Sequence, residues 1–231
     1  MRTKGIFLAL VAGMILMFTG CSKDDEPKPE VKLPSVGKDS ILVSVPESLK
    51  GTTDSNLKMA ASIFSSINQM SNISRMMLPP EDAASYHSDV PGAVAYTWSA
   101  GEVTYWFTYY TSNDTCYWKV DADFGEGRVP YIEGQESCDG KAGSISLLGG
   151  DLPPYHASWS YNSEGDLSFR ITGNVQTHYE ITGTLNADGS GYAKIVASGM
   201  KIFEIWWNAD GSGRYKYYLY PPSEGSWSAN G

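Results

Sequence analysis

Along residues 92–231 apolar and polar side chains alternate with a period of two. Cys116, Trp118, Val120, Ala122 and Phe124 share one parity, and Tyr117, Lys119, Asp121 and Asp123 share the other. Leu167, Phe169 and Ile171 alternate with Ser168, Arg170 and Thr172. Tyr179, Ile181 and Leu185 alternate with His178, Glu180, Thr182 and Thr184. Successive side chains of a strand leave opposite faces, so this is the pattern of antiparallel sheet with one face buried. Two stretches are apolar on both parities. In 103–110, Tyr105, Phe107 and Tyr109 oppose Trp106 and Tyr110; in 202–207, Phe203, Ile205 and Trp207 oppose Ile202 and Trp206. Such strands need cover on both faces, from a helix, a ligand or a partner.

One segment has a helical period instead. Ile63, Ile67, Met70, Ile73 and Met77 recur at spacings of three and four, and Leu57, Ala60 and Phe64 widen the stripe. The spacing predicts a helix over 53–77, capped by Thr53, Asp54 or Ser55 and stopped by Pro79 and Pro80. The extended run Ile41–Val45 reads as a first strand or a strand-like arm. Within the sheet region, Asn186-Ala187-Asp188-Gly189-Ser190-Gly191 recurs unchanged as Asn208-Ala209-Asp210-Gly211-Ser212-Gly213, with a looser relative at Asn162-Ser163-Glu164-Gly165. Asp-Gly between alternating runs is a hairpin signal, because the glycine adopts positive φ. The expected fold is mainly β: a curved antiparallel meander or partly closed barrel of about 10–11 strands over 92–231. The one N-terminal amphipathic helix would cover its concave side.

Composition sharpens this picture. Aromatics make up 13% of the 231 residues, charged residues 19%, and there are 24 glycines. That profile excludes coiled coils, helical bundles and disordered chains. The formal net charge of −9 argues against nucleic acid and anionic membrane surfaces as partners.

The N-terminal residues read as an address rather than as part of the fold. Arg2 and Lys4 precede an apolar run from Ile6 to Phe18, too short to span a bilayer but suited to a signal-peptide core. The run ends Phe18-Thr19-Gly20-Cys21, and Ser22-Lys23-Asp24-Asp25-Glu26 follows. This resembles a bacterial lipobox followed by the acidic export tether of Bacteroidota outer-membrane lipoproteins. The usual pattern has Leu where this chain has Phe18, and Ala or Ser where it has Thr19. The resemblance implies cleavage after residue 20, a diacylglycerol on Cys21 and an outer-membrane location, surface-exposed or facing the periplasm. The domain plan is then a signal peptide at 1–20, a tether at 21–38 extended by Pro27, Pro29 and Pro34, and one β-rich domain at 39–231. Loss of Arg2 and Lys4 leaves 15 basic against 26 acidic side chains, a net charge near −11.

Candidate chemistry is sparse. An EF-hand needs a glutamate at its twelfth position, where the two repeats have Ala197 and Leu219. Hairpin chemistry explains the repeat, and no metal or other cofactor is expected. His87, His156 and His178 form no ligand motif and read as surface residues. Asp121 and Asp123 share a strand face, as solvated acidic faces commonly do. No nucleophile elbow or phosphate loop is present, and nothing makes a positive case for an enzyme. With Cys21 acylated, Cys116 and Cys138 remain as a pair; a structural bridge between them is favoured over two thiols or a redox pair.

Binding therefore leads the functional readings. A curved sheet with a Met-containing helix is similar in layout to LolA/LolB-like lipoprotein carriers, without any shared motif, and implies an apolar or lipid-like ligand. Phe64, Trp106, Trp206 and Trp207 are the expected contacts. The alternatives are a surface glycan-binding lipoprotein, with Trp98, Trp106, Trp159, Trp206, Trp207 and Trp227 as stacking rings, and a protein-interaction or structural role.

Overall fold

Every run of alternating residues becomes a strand paired with its neighbours in sequence. The structure is a computed structural model that describes Val31, 43–149, 154–174 and 178–229. The expected signal peptide, Cys21 and all of the expected tether but Val31 lie outside the described residues. The strands are β1 (Ala84–Ser85), β2 (Val94–Ala100), β3 (Val103–Ser112), β4 (Thr115–Asp123), β5 (Arg128–Ser137), β6 (Ala142–Leu147) and β7 (Tyr155–Tyr161). They continue with β8 (Leu167–Asn174), β9 (His178–Leu185), β10 (Gly191–Ala197), β11 (Met200–Trp207), β12 (Gly213–Tyr217) and β13 (Ser223–Trp227). All pair antiparallel in chain order in one 13-stranded sheet, so the meander is as expected and the count exceeds the expected 10–11. The sheet does not close into a barrel; its edges are the two-residue β1 and the five-residue β13.

Helix α1 (Ser55–Met76) lies on one face of this sheet. Asp54 caps it, its side chain accepting from Asn56 N at 2.8 Å and Leu57 N at 3.0 Å. The expected stripe is the buried one. Ala60, Ile63, Phe64, Ile67, Met70, Ile73 and Met77 are all 2% exposed or less. Each large apolar side chain removed from water in this way contributes about 1.5–3 kcal/mol. Tyr155 Oη donates to Ser66 O at 3.4 Å, and Asn56 Nδ2 donates to Ser223 Oγ at 3.0 Å, tying α1 to β7 and β13.

The inner, helix-facing side of the sheet carries the predicted parity: Cys116, Trp118, Val120 and Ala122 on β4, and Leu167, Phe169 and Ile171 on β8, are buried. Phe124 does not follow; it lies beyond the end of β4 and is 44% exposed. The two-faced stretches resolve as Phe107 and Tyr109 inward on β3, and Phe203, Ile205 and Trp207 inward on β11. Their outer faces carry half-buried rings with local side-chain partners, such as Arg128 over Trp106 and Arg214 over Trp206. Tyr86, just beyond β1, meets Thr108 on the outer side of β3, with the two hydroxyl oxygens 2.8 Å apart.

The repeated hairpins are closed by their own side chains. Asp188 Oδ1 accepts from Ser190 N at 2.8 Å, and Asp210 Oδ1 accepts from Ser212 N at 2.8 Å. Gly189 and Gly211 have φ of +87° and +85°. The second glycine of each repeat has a separate duty. Gly191 stands opposite Trp207 and Gly213 opposite Trp227, and each indole lies across the glycine facing it. Trp207 Nε1 donates to Gly189 O at 2.9 Å, and Trp227 Nε1 to Gly211 O at 2.8 Å. Gly143 and Trp159 repeat the packing between β6 and β7.

Candidate functional site

The residues before α1 form an arm, not a sheet strand. Ile41 and Leu42 lie outside the described residues, and Val43–Val45 pair with no strand. Asn68, midway along α1, holds the arm as a strand would: Val43 N donates to Asn68 Oδ1, and Asn68 Nδ2 donates to Val43 O, both at 2.9 Å. A short 3-10 turn at Glu47–Leu49 buries Leu49 in the core, and Ser48 Oγ donates to Ser228 O at 2.5 Å.

Between this arm and the hairpin end of the sheet lies a recess of about 710 Å³. Phe64, Leu167, Leu185 and Trp207 form its floor, with Val45 and Pro46 on the arm side. The amides of Asn186 and Asn208 and the carboxylate of Asp210 border its turn side. Asp188 and Asp210 are held below the usual carboxylate range, first by the hydroxyls of Ser190 and Ser212 and then by the backbone N–H groups of the same serines. Those two carboxylates are thus engaged in turn formation. Among the described residues, no group of His, Cys, Asp and Glu is arranged to hold a metal ion.

The four aromatics expected to bind ligand do not gather. Phe64 and Trp207 meet edge-on, ring centroids 5.1 Å apart, in the floor of the recess. Trp106 and Trp206 are on the outer face, on β3 and β11. Trp106 lies under the Arg128 guanidinium at 5.0 Å, and Trp206 under that of Arg214 at 4.7 Å. Of the other indoles considered, Trp159, Trp207 and Trp227 are 4–6% exposed over their glycines and present no open ring face. Trp98 stacks on Tyr105 at 5.4 Å.

Remaining candidates have structural duties. Asp121 is buried against Arg128, with Arg128 Nη2 2.6 Å from Oδ2. Asp123 Oδ1 accepts from Gly125 N at 2.8 Å and Gly127 N at 2.9 Å, closing the turn after β4. All three histidines are exposed, and His156 Nδ1 lies 2.8 Å from Ser146 Oγ.

The expected bridge is not formed. Cys116 Sγ and Cys138 Sγ are 3.2 Å apart, well beyond the bond length of about 2.05 Å. Cys116 is buried and Cys138 exposed, so the contact joins core to surface, and Tyr109 Oη donates to Cys116 Sγ at 3.6 Å.

Two features escaped the sequence reading. The arm's attachment to Asn68 is a contact between residues 25 apart, and no local pattern announces it. Glu204 stands in the stretch 202–207, which reads as apolar on both parities. It is 7% exposed on the outer face and accepts from Tyr192 Oη at 2.7 Å, Lys201 Nζ at 3.0 Å and Tyr218 Oη. Burial raises its pKa, and the hydrogen bonds from Tyr218, Tyr192 and Lys201 outweigh that, so the carboxyl is held below its ordinary range.

No family model, curated protein or solved structure matches this chain. The helices of the described residues are not long and apolar enough to cross a membrane.

Proposed function

We propose that this chain is a membrane-anchored lipoprotein whose folded domain is a non-catalytic ligand-binding module, with the ligand in the recess beneath the arm. The observation that carries this reading is the recess itself: about 710 Å³, floored by Phe64, Leu167, Leu185 and Trp207. Small-molecule sites are commonly about 300–1,000 Å³, with apolar walls and a few placed polar groups. The reading is an amphipathic molecule whose apolar part lies along the half-buried Val43 and Val45 of the arm, above the packed Phe64, Leu167, Leu185 and Trp207, with its polar part toward the turns at Asn186 and Asn208. The carrier-like layout needs adjusting, because α1 occupies the inner face along Ile63, Ile67 and Met70 and the open volume lies at one end.

The address supports the same reading. A lipid on Cys21 attaches the chain to the outer membrane, and the acidic run Asp24-Asp25-Glu26 favours its outer surface. Export to an oxidising compartment would convert the Cys116–Cys138 contact into a disulfide. The alternative, a glycan-binding or protein-interaction lipoprotein, would use the outer face instead.

A photoactivatable long-chain fatty acid tests the recess. Peptides containing Leu167, Leu185 or Val43–Pro46 are expected to carry the cross-link. Labelling confined to other surfaces would overturn the assignment.

A further inference from the structure

We propose that the outer face of β10–β13 binds an anionic, hydroxyl-rich oligosaccharide, at a site separate from the recess. Strand register builds this face in two rows. Tyr192, Trp206, Arg214 and Ser226 stand opposite one another across four strands, and beside them stand Lys194, Glu204, Lys216 and Glu224. Two open grooves flank Trp206. One, about 740 Å³, runs between Tyr192 and Arg214 and is bordered by Thr184, Ser190, Ser212 and Ser226. The other, about 640 Å³, runs past Arg214, Lys216, Tyr218 and Glu224.

Three features define the occupant. First, charge: Glu204 is occupied by Lys201 and two tyrosine hydroxyls, which leaves Lys194, Arg214 and Lys216 facing the single carboxylate of Glu224. This is a local cationic surplus on a chain of net charge −9, and it complements an anion. Second, ring surface: Tyr192 and Trp206 pack at 5.4 Å, and the Arg214 guanidinium lies over Trp206 at 4.7 Å. An exposed guanidinium placed by a ring remains charged and can pair with a planar anion such as a carboxylate. Third, the mixture: the exposed Glu224 carboxylate and the hydroxyls of Thr184 and Ser226 suit a ligand that donates hydrogen bonds as well as accepting them, while Ser190 and Ser212 are engaged by Asp188 and Asp210. Sugar hydroxyls do both. A nucleic-acid backbone offers no donor to Glu224 and is repelled by it. The buried Glu204 gives the face rigidity, because its hydrogen bonds fix Tyr192 and Tyr218 before any ligand arrives.

The test is calorimetric titration of the full chain with oligogalacturonate, fully methyl-esterified oligogalacturonate and single-stranded DNA. Binding to oligogalacturonate is expected, with both other titrants weaker by at least about tenfold. Arg214→Gln, an exposed change that leaves the sheet intact, should weaken binding by about the same factor, as should Trp206→Ala. Trp106→Ala, on β3, should bind like wild type, and so should Ala187→Trp, which fills the recess. Equal affinity for the esterified oligomer or for DNA would overturn the proposal, as would no binding or an unaffected Arg214→Gln variant. Failure of the recess leaves these results unchanged, so the two readings fall separately.

Discussion

The indole of Trp207 lies across Gly191 on the neighbouring strand and donates its N–H to Gly189 O at 2.9 Å. One aromatic residue of β11 thus braces the turn between β9 and β10. A Cβ on Gly191 would stand 2.2 Å from the Trp207 ring, and one on Gly213 would stand 2.2 Å from that of Trp227. Gly191→Ala and Gly213→Ala should each destabilise the domain by about 1–3 kcal/mol through overpacking. At Gly134 the nearest atom to an added Cβ is the flexible end of Met77, at 3.4 Å. Gly134→Ala should therefore be tolerated, and urea denaturation of the three variants would separate the cases.

Much of this was legible in the sequence because it is local. The period-two runs of β4 and β8, the α1 stripe and both Asp-Gly turns follow from residues a few positions apart. The Gly–Trp pairing was not legible, because Gly191 and Trp207 meet only once β10 and β11 are in register. Strand number was underestimated because β1, with two residues, and β12 and β13, with five each, offer few alternations to read. Alternation alone puts Trp206 and Trp207 on opposite faces, but which of the two faces α1 covers is a long-range matter. Trp206 lies outside under Arg214, and the next residue, Trp207, lies inside against Phe64.

Ile67 is fully buried between α1 and the sheet. Ile67→Ala should cost about 2–5 kcal/mol, and Ile67→Asp should unfold the domain, as judged by circular dichroism. Ser71, also fully buried in α1, has no hydrogen-bond partner for its hydroxyl. Ser71→Ala should accordingly be neutral or stabilising, since it removes an unsatisfied polar group.

Asn68→Ala removes both hydrogen bonds that hold the arm at Val43. The arm should loosen without loss of the sheet. Hydrogen exchange at the Val43 amide should accelerate, while the amides of β10 and β11 keep their protection. Unchanged protection at Val43 would contradict the role given to Asn68.

Glu204 makes stability acid-sensitive in a defined direction. Its folded-state pKa is lowered from the ordinary 4.5, so its contribution is present above that value and is lost as pH falls through the folded pKa. Glu204→Gln should have a lower Tm than wild type at pH 7, and the gap should narrow below pH 4.5. A gap that stays constant through that range would show that Tyr192, Tyr218 and Lys201 do not depend on the charge.

Cys116 and Cys138, 3.2 Å apart, should join on mild oxidation without backbone movement. Mass spectrometry of the oxidised chain should show loss of two hydrogens and a linked peptide pair. Two intact thiols after oxidation would contradict the contact.

Ligand occupancy of the recess is tested most directly by what copurifies with the full chain. Organic extracts of wild type and of Ala187→Trp, a substitution in the recess wall, can be compared by mass spectrometry. One class of amphipathic molecule is expected, near stoichiometric with wild type and lost from the variant. Extracts that match each other, or that contain only bulk membrane lipid, would contradict a ligand-binding recess.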